Sequence, residues 1–257
     1  MKIFMPLLAA ALFSVAGANA LPIPAGWTCS GSCGDLGADG VVTVSPNGGN
    51  YHYVSTSGGL GGVGVLPGGG LGGGEFNGST LTTNAFVAAA SDTLKFFFNY
   101  VTSDGAGFAD YAWAALVDSS NVSTILFTAR TIEAGDVVPG FGTVLAPGVT
   151  LTPATTGIIG GGPAWSPLGG SSGECFDAGC GYTGWIQSDY VIPVADTYTL
   201  VFGTTNWADD LFDSGLAIDG IVAGGVVVGG DVPEPSTFAL LGLGTLALVV
   251  RARRKRA

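Results

Sequence analysis

The run Thr93-Leu-Lys-Phe-Phe-Phe-Asn-Tyr-Val101 carries the clearest secondary-structure signal in the chain. Its residues alternate in character, so that Leu94, Phe96, Phe98 and Tyr100 fall on one face and polar residues fall largely on the other. Successive side chains of a β-strand point to opposite sides, and the pattern therefore predicts a strand with one strongly apolar face. We expect that face to lie in the core of the protein.

Further runs of β-branched and aromatic residues surround this one. We predict strands at Val41–Val44, Tyr51–Thr56, Asp110–Val117, Val122–Thr128, Trp185–Ile192 and Thr197–Gly203. The 45 glycines and 13 prolines fall largely between such runs, as turns require. No stretch between residues 21 and 231 shows a sustained helical period. The sequence therefore predicts an all-β domain, a single antiparallel β-sandwich, with Gly58–Gly74 as a glycine-rich excursion between strands.

The N-terminal residues have the features of a secretory signal peptide. Lys2 precedes an apolar run from Ile3 to Val15, and small residues end at Ala20. A charged start, an apolar centre and a small-residue cleavage site are what signal peptidase recognises. We predict that residues 1–20 are removed after Ala20, and that the folded domain spans residues 21–231.

The C-terminal residues combine three features. Val232-Pro-Glu-Pro235 leads into the uncharged segment Ser236–Val250, and a basic cluster follows it. As a helix this segment would be about 22 Å long, which is short for a membrane span but feasible with local thinning of the bilayer. Basic residues stay on the cytoplasmic side of a span. The basic cluster consists of Arg251, Arg253, Arg254, Lys255 and Arg256.

This layout resembles the PEP-CTERM sorting signal of exported bacterial proteins. The resemblance implies that Val232, Pro233, Glu234 and Pro235 form the motif recognised by an exosortase, a membrane protease-transpeptidase. Residues 232–257 would then be the sorting signal, with a transmembrane helix that anchors the protein transiently in the inner membrane. Removal of the helix and basic tail would place the domain at the cell surface or in the extracellular matrix. A C-terminal core helix is the alternative, but it would have to expose five like charges.

The domain between the two segments is strongly acidic. Lys2 and the five tail residues account for six of the eight basic residues, which leaves Lys95 and Arg130. Only Glu234 of the 19 acidic residues lies outside, so residues 21–231 carry 18 acidic and two basic residues, a net charge of −16. Such a field disfavours nucleic acid and anionic membrane surfaces as partners. It fits calcium binding or simple solubility outside the cell.

The four cysteines form two local groups, Cys29 with Cys33 and Cys175 with Cys180. In an exported chain an even number of cysteines predicts disulfides, and three connectivities are open. We favour pairing within each group, because each bridge would close a glycine-rich loop. A zinc site is the alternative, although C-x2-C spacing is missing and His52 is the only histidine.

Two acidic segments follow predicted strands, Thr102–Trp113 and Thr205–Gly220. They resemble the core of a group of uncharacterised PEP-CTERM exported proteins and, more loosely, the strand-and-loop pattern of jelly-roll carbohydrate-binding modules. The second segment suggests a structural calcium site, since calcium prefers several hard oxygen ligands. A solvated acidic loop whose Asp side chains cap turns is the alternative. The candidate ligands are Asn206, Asp209, Asp210, Asp213 and Asp219.

No catalytic residue emerges from the sequence, and no cofactor is predicted beyond calcium. Gly169–Gly173 satisfies G-x-S-x-G but lacks the strand and helix that a nucleophile elbow needs. Trp165 and Trp207 lie in predicted loops and are the candidates for stacking on sugar rings. We therefore expect a non-enzymatic surface or matrix protein that contacts extracellular polysaccharide. A secreted carbohydrate-active enzyme, similar to a glycoside hydrolase, is the alternative, since that chemistry needs only two carboxylates.

Overall fold

A computed structural model describes residues 23–229 of the chain. The first strands are β1 (Thr28–Ser30), β2 (Ser32–Leu36), β3 (Tyr51–Ser55), β4 (Leu60–Gly61), β5 (Glu75–Thr82), β6 (Phe86–Ala88), β7 (Thr93–Thr102), β8 (Tyr111–Val117) and β9 (Ser123–Arg130). They are followed by β10 (Asp136–Val138), β11 (Val149–Thr152), β12 (Thr156–Gly157), β13 (Ile159–Gly160), β14 (Gly181–Tyr182), β15 (Ile186–Val191), β16 (Asp196–Trp207), β17 (Ser214–Ala223) and β18 (Val226–Val227). Short 3-10 helices span Ala106–Phe108, Gly140–Gly142 and Ser166–Ser171.

The strands form two large antiparallel sheets and one small one. One large sheet has the order β1-β5-β16-β8-β9, with β4 and β6 pairing to β5 and β16. The other has the order β11-β15-β7-β17-β3-β2, with β14 pairing to β7 and β18 to β17. Strands β10 and β12 pair separately. The prediction of an all-β, antiparallel domain is confirmed.

The main core lies between the two large sheets. Leu94, Phe96, Phe98 and Tyr100 of β7 are fully buried, as the alternation predicts. Phe98 stacks on Phe127 of β9 with ring centroids 3.6 Å apart, so the apolar faces of the two sheets are in direct contact. Aromatic rings bury large areas, and this contact therefore contributes to the stability of the domain.

Each sheet also carries a smaller apolar cluster on its outer face. On the β8 side, Tyr111 and Trp113 pack with Leu66 and Leu71 from the glycine-rich segment. The Trp113 indole donates a hydrogen bond of 2.7 Å to the carbonyl oxygen of Gly64. The predicted excursion Gly58–Gly74 is therefore packed on the sheet, because it supplies the apolar cover that an exposed Tyr–Trp face needs.

Several local predictions need correction. Val41–Val44 is not a strand, since Val42 makes only an isolated bridge with Asp39. Strand β16 continues to Trp207, four residues beyond the predicted end at Gly203. The sequence analysis does not predict strand β17, because Asp219 and Gly220 interrupt its apolar pattern in the middle.

The direction of β17 shows which residues lie at each end of the sandwich. This strand begins at Ser214 and runs to Ala223, after which β18 turns back along it. The backbone amide of Val228 donates to the carbonyl oxygen of Ile221 at 2.9 Å. Residue 229 therefore lies near the end opposite Ser214, about 20 Å away along the strand at 3.3 Å per residue.

The predicted signal peptide at residues 1–20 lies outside the described residues, as do the predicted sorting motif and apolar helix at residues 232–250 and the basic cluster at residues 251–256. Within residues 23–229, no helix has the length and apolar character needed to cross a membrane.

Candidate functional site

Three loops meet at the end of the sandwich where β7 and β16 end and β8 and β17 begin. We call residues 103–110, 171–180 and 208–213 the loop cluster. The amide of Phe176 donates to the carbonyl oxygen of Ser103 at 3.0 Å, and the amide of Ala106 donates to the carbonyl oxygen of Ala178 at 2.9 Å. The amide of Ser103 donates to the carbonyl oxygen of Asp213 at 3.1 Å. These backbone bonds hold the three loops as one unit.

The middle loop is closed by a disulfide. Cys175 is bonded to Cys180, and Cys29 is bonded to Cys33 near the N-terminus of the described chain. These are the two local pairings that the sequence favoured. No cysteine in residues 23–229 is free. The Cys175–Cys180 bridge fixes the loop that carries Phe176.

A buried carboxylate lies at the base of the loop cluster. Asp110 is fully buried, and its Oδ2 accepts a hydrogen bond of 2.7 Å from the Ser214 hydroxyl. Its Oδ1 accepts a hydrogen bond of 2.8 Å from the backbone amide of Trp207. The Ser214 hydroxyl also lies 2.8 Å from Oγ1 of Thr102. Asp110 thus connects the ends of strands from both large sheets.

A second buried carboxylate, Asp104, lies beside this network. Its side chain is 2% exposed, and its Oδ1 accepts a hydrogen bond of 2.7 Å from the Gly105 amide. Its Oδ2 is buried without a hydrogen-bond partner. Oδ1 of the fully buried Asn206 also lacks a partner. Buried polar atoms are ordinarily paired, so these two oxygens mark an unusual environment.

Burial and nearby carboxylates perturb both side chains. Burial raises the pKa of Asp104 to about 7, and the charge of Asp209 adds to the increase. Burial also raises the pKa of Asp110 well above its usual range, with the charge of Asp104 as the second cause. Perturbed carboxylates of this kind are found at functional sites, where desolvation and like charges act together.

An exposed apolar surface covers the carboxylates. The ring of Phe176 packs at 5.3 Å from that of Phe108 and at 5.2 Å from that of Phe212. Phe176 remains 47% exposed, and Leu211 beside it is 62% exposed. We call Phe108, Phe176, Leu211 and Phe212 the aromatic patch. Together with Asp104 and Asp209 it lines a cavity of about 110 Å³.

The loop that supplies Leu211 contains two residues in the left-handed backbone region. Ala208 has φ 75° and Phe212 has φ 55°. Residues other than glycine adopt this region rarely, and such positions tend to cluster at ligand sites. The hydrogen bonds of the neighbouring Asp213 hold this conformation: its Oδ1 accepts from Thr56 at 3.0 Å, and its amide donates to the Ser171 hydroxyl at 3.1 Å.

The structure does not bring the five predicted calcium ligands to one point. Asp213 is engaged by Thr56, while Asp219 lies farther along β17 and accepts a hydrogen bond from Ser45. Asp210 is exposed, whereas Asn206 is buried. Within residues 23–229, no three His, Cys, Asp or Glu side chains form a group that could hold a metal ion. The five residues are close in the sequence but not in the structure, because Asn206 and Asp219 belong to different strands.

The expectation that Trp165 is exposed is wrong. Its side chain is 1% exposed, and its indole donates a hydrogen bond of 2.9 Å to the Tyr51 hydroxyl. The ring lies where Gly215 has no side chain, since a Cβ there would come within 2.6 Å of it. Trp207 is the last residue of β16 and is half-buried, with the Arg130 guanidinium 5.7 Å from its ring. Neither side chain belongs to the aromatic patch.

The G-x-S-x-G segment does not assemble a catalytic group. Ser171 exchanges hydrogen bonds with Asp213, its hydroxyl donating to Oδ2 at 3.2 Å. His52 is the only histidine of the chain, and its imidazole pairs with Asp35 and packs against Trp27. A serine nucleophile needs an adjacent base, and His52 does not serve Ser171 in that role.

The sequence predictions overlooked the aromatic patch. Phe108 and Phe212 lie inside the two acidic segments, and Phe176 lies between the second pair of cysteines. A large apolar residue in each of three loops otherwise built from small and acidic residues was the available signal.

Comparison with solved structures gives three similar chains, which include two adhesin domains. The K1 cleaved adhesin domain of Lys-gingipain from Porphyromonas gingivalis W83 is 14% identical, with a TM-score of 0.33, and the match covers 79% of this chain and 96% of that one. The K3 cleaved adhesin domain of the same protein is also 14% identical, with a TM-score of 0.33 and coverage of 77% and 94%. No curated protein matches the chain.

Comparison with protein-family models gives a match at the C-terminus. Residues 231–255 match the model described as the PEP-CTERM protein-sorting motif. This stretch contains the Pro-Glu-Pro triplet, the apolar segment and most of the basic cluster. The chain therefore carries a PEP-CTERM sorting motif after its β-rich domain, which implies an exported exosortase substrate that is anchored transiently in the membrane before release.

Proposed function

We propose that the protein is a non-enzymatic component of the cell surface or extracellular matrix that contacts polysaccharide through the aromatic patch. The observation that carries this proposal is the exposure of Phe176 and Leu211 at the tip of a rigid loop cluster. Apolar side chains at such exposure are typical of binding surfaces when they are contiguous.

The chemistry of the patch suits a sugar ring. The faces of aromatic side chains offer large rigid contact areas, and the C–H groups of a pyranose can pack against them. Asp209 and the exposed Asp210 lie beside Leu211 and can accept hydrogen bonds from sugar hydroxyls. Backbone hydrogen bonds and the Cys175–Cys180 bridge hold Phe176 in place, so binding requires little ordering.

The charge of the domain selects among polysaccharides. Residues 21–231 carry a net charge of −16, and no basic residue lies in the loop cluster. An acidic polymer would be repelled by this field. We therefore propose a neutral glycan as the ligand.

The position of the aromatic patch is compatible with ligand binding while the protein is still anchored in the membrane. The sorting motif begins at residue 231, and residue 229 lies near the end of the sandwich opposite Ser214. A membrane-anchored intermediate would thus present the loop cluster on the side away from the bilayer. The same surface would remain free after release.

The strand order supports a jelly-roll topology for the domain. Eight strands, β3, β5, β7, β8, β9, β15, β16 and β17, form the centres of the two large sheets. When these strands are numbered one to eight along the chain, the order in one sheet is 1-8-3-6 (β3-β17-β7-β15) and in the other 2-7-4-5 (β5-β16-β8-β9). This is the double Greek key that also occurs in lectin domains. This agreement concerns the fold alone.

A second candidate function is glycoside hydrolysis. Asp104, with its pKa raised to about 7, could donate a proton, and the Asp209 carboxyl group that lines the same cavity could act as the second carboxylate. The cavity that both residues line holds about 110 Å³, below the roughly 300 Å³ typical of small-molecule sites. The size of the cavity therefore favours binding over catalysis.

A paired assay distinguishes the two functions. The purified full-length protein is screened on a glycan array and, in parallel, for release of reducing ends from the same polysaccharides. The proposal predicts binding to at least one neutral glycan without hydrolysis at any pH between 4 and 8. Hydrolysis that is lost in Asp104→Asn would establish the enzyme instead.

A further inference from the structure

We infer that the base of the loop cluster binds a calcium ion through Asp104, Asn206 and Asp209. This site differs from the five-residue set that the sequence suggested, because it takes a ligand from the β7–β8 loop and omits Asp210, Asp213 and Asp219. It shares Asp209 and the lining of one cavity with the proposed glycan contact, but it does not depend on glycan binding.

The first support is the pair of unpartnered oxygens. Oδ2 of Asp104 and Oδ1 of Asn206 are both buried, and neither accepts a hydrogen bond. Asp104 also lines the 110 Å³ cavity. Leaving two such acceptors buried and unpaired would cost several kcal/mol, whereas a cation would engage both.

The second support is the way in which the backbone gathers these residues. Thr205 of β16 pairs with Tyr111 of β8, so Asn206 stands one residue farther along, beside Asp110. The amide of Asp104 donates to Oγ1 of Thr102 at 3.1 Å, which places Asp104 next to the Ser214–Asp110 hydrogen bond. Asp209 completes the group, since it lines the same cavity as Asp104.

The third support is the lack of a compensating cation. Lys95 and Arg130 are the only basic side chains in residues 23–229. The Arg130 guanidinium lies 5.1 Å from the ring of Phe141, and Lys95 lies near the start of β7, away from the loop cluster. The buried Asp110 places a further carboxyl group beside Asp104. A bound divalent ion would neutralise this charge.

The chemistry of the group favours calcium over magnesium or zinc. Calcium accepts six to eight oxygen ligands in irregular geometry, including amide oxygens and waters. Two carboxylates and one amide leave several positions for water, which the cavity can hold. Magnesium demands a nearly ideal octahedron, and zinc prefers nitrogen and sulfur ligands.

Calorimetric titration of the purified full-length protein with calcium chloride, after removal of bound metal by chelator, tests the site. We expect one saturable site per chain and a melting temperature that rises with calcium concentration. Magnesium at the same concentration should bind much more weakly. The absence of both heat and a melting shift up to 10 mM calcium would overturn the inference.

Variants separate a ligand role from a merely structural one. Asp104→Asn removes a buried charge, so in chelator it should melt no lower than the wild type, while its calcium affinity should fall by at least about tenfold. Asp210→Asn is the matched control, because Asp210 is exposed in the same loop. Asp219→Asn tests the alternative ligand set. Calcium binding that survives Asp104→Asn but is lost in Asp219→Asn would contradict the assignment.

Discussion

The Ser214 hydroxyl lies 2.7 Å from Oδ2 of Asp110 and donates a hydrogen bond to it. Both groups are fully buried; Ser214 is the first residue of β17, and Asp110 immediately precedes β8 in the opposite sheet. The bond therefore joins the two layers at the point where the loop cluster begins. A buried carboxylate must be hydrogen-bonded, and so this pair fixes how the sheets meet beneath the aromatic patch.

Loss of the Ser214 hydroxyl should destabilise the domain. Ser214→Ala leaves Oδ2 of Asp110 without its donor, and we expect the free energy of unfolding to fall by about 1–3 kcal/mol. Ser188→Ala is the matched control, because the Ser188 hydroxyl is buried but makes no hydrogen bond. That variant should be neutral or slightly stabilised. Equal losses in the two variants, measured by denaturant unfolding, would show that the bond is unimportant.

The perturbed carboxylates predict a specific dependence of stability on pH. The pKa of Asp104 is raised to about 7 in the folded state by burial and by Asp209. The folded protein therefore holds a proton more tightly than the unfolded chain between about pH 4 and pH 7. The contribution of Asp104 to the free energy of unfolding is therefore fully present at low pH and is lost as the pH rises through that window. Asp110, which faces Asp104, Asp209, Ser214 and the Trp207 amide, acts in the same direction.

Thermal unfolding in chelator should show this effect. We expect the melting temperature to be higher at pH 5 than at pH 8, and the difference to shrink in Asp104→Asn, whose side chain does not titrate. Addition of calcium at pH 8 should restore much of the melting temperature that is lost between pH 5 and pH 8, because calcium neutralises the charges of the same carboxylates. An unchanged pH dependence in Asp104→Asn would contradict the role given to this residue.

The sorting motif predicts processing of the exported protein. The envelope form should lack residues 1–20 and the basic tail at residues 251–257, because signal peptidase and exosortase act at the two ends. Intact-mass spectrometry of envelope material measures both losses at once. Substitution of Pro233, Glu234 and Pro235 by Ala should leave the C-terminal tail in place. Recovery of the full-length C-terminus from wild-type mature material would contradict this prediction.

The two disulfides predict the state of the cysteines after export. Alkylation without reductant should label none of the four, and alkylation after reduction should label all of them. Each bridge closes a short loop, so replacing Cys175 and Cys180 together by Ser should cost about 2 kcal/mol. Free thiols that bind zinc stoichiometrically in the exported protein would defeat this prediction.

The sequence revealed those parts of the fold whose pattern is local. The alternation of β7 and of β8 is visible in any short window, and both strands lie close to their predicted positions. Strand β5 was missed because Asn77 and Gly78 interrupt it, although β16 and β4 pair with it on either side. Cross-strand pairing can stabilise a segment of weak intrinsic propensity, and that pairing cannot be read locally.

The same limit applies to the candidate site. Spacing along the chain grouped Asn206 with Asp219, whereas β16 and β17 carry them to different parts of the domain. Asp104 and Asp209 are 105 positions apart in the sequence and line one cavity. Trp165 was misjudged for a related reason, because its burial depends on Gly215, a residue of a distant strand.

Glycan binding by two phenylalanine variants tests the proposed function most directly. Phe176 and Phe76 are similarly exposed, at 47% and 51%, but only Phe176 belongs to the aromatic patch. Affinity for a bound neutral polysaccharide should fall about tenfold in Phe176→Ala, equivalent to about 1.4 kcal/mol, and should stay unchanged in Phe76→Ala. Equal affinity in the wild type and Phe176→Ala, or an equal loss in both variants, would contradict the assignment of the loop cluster as the binding surface.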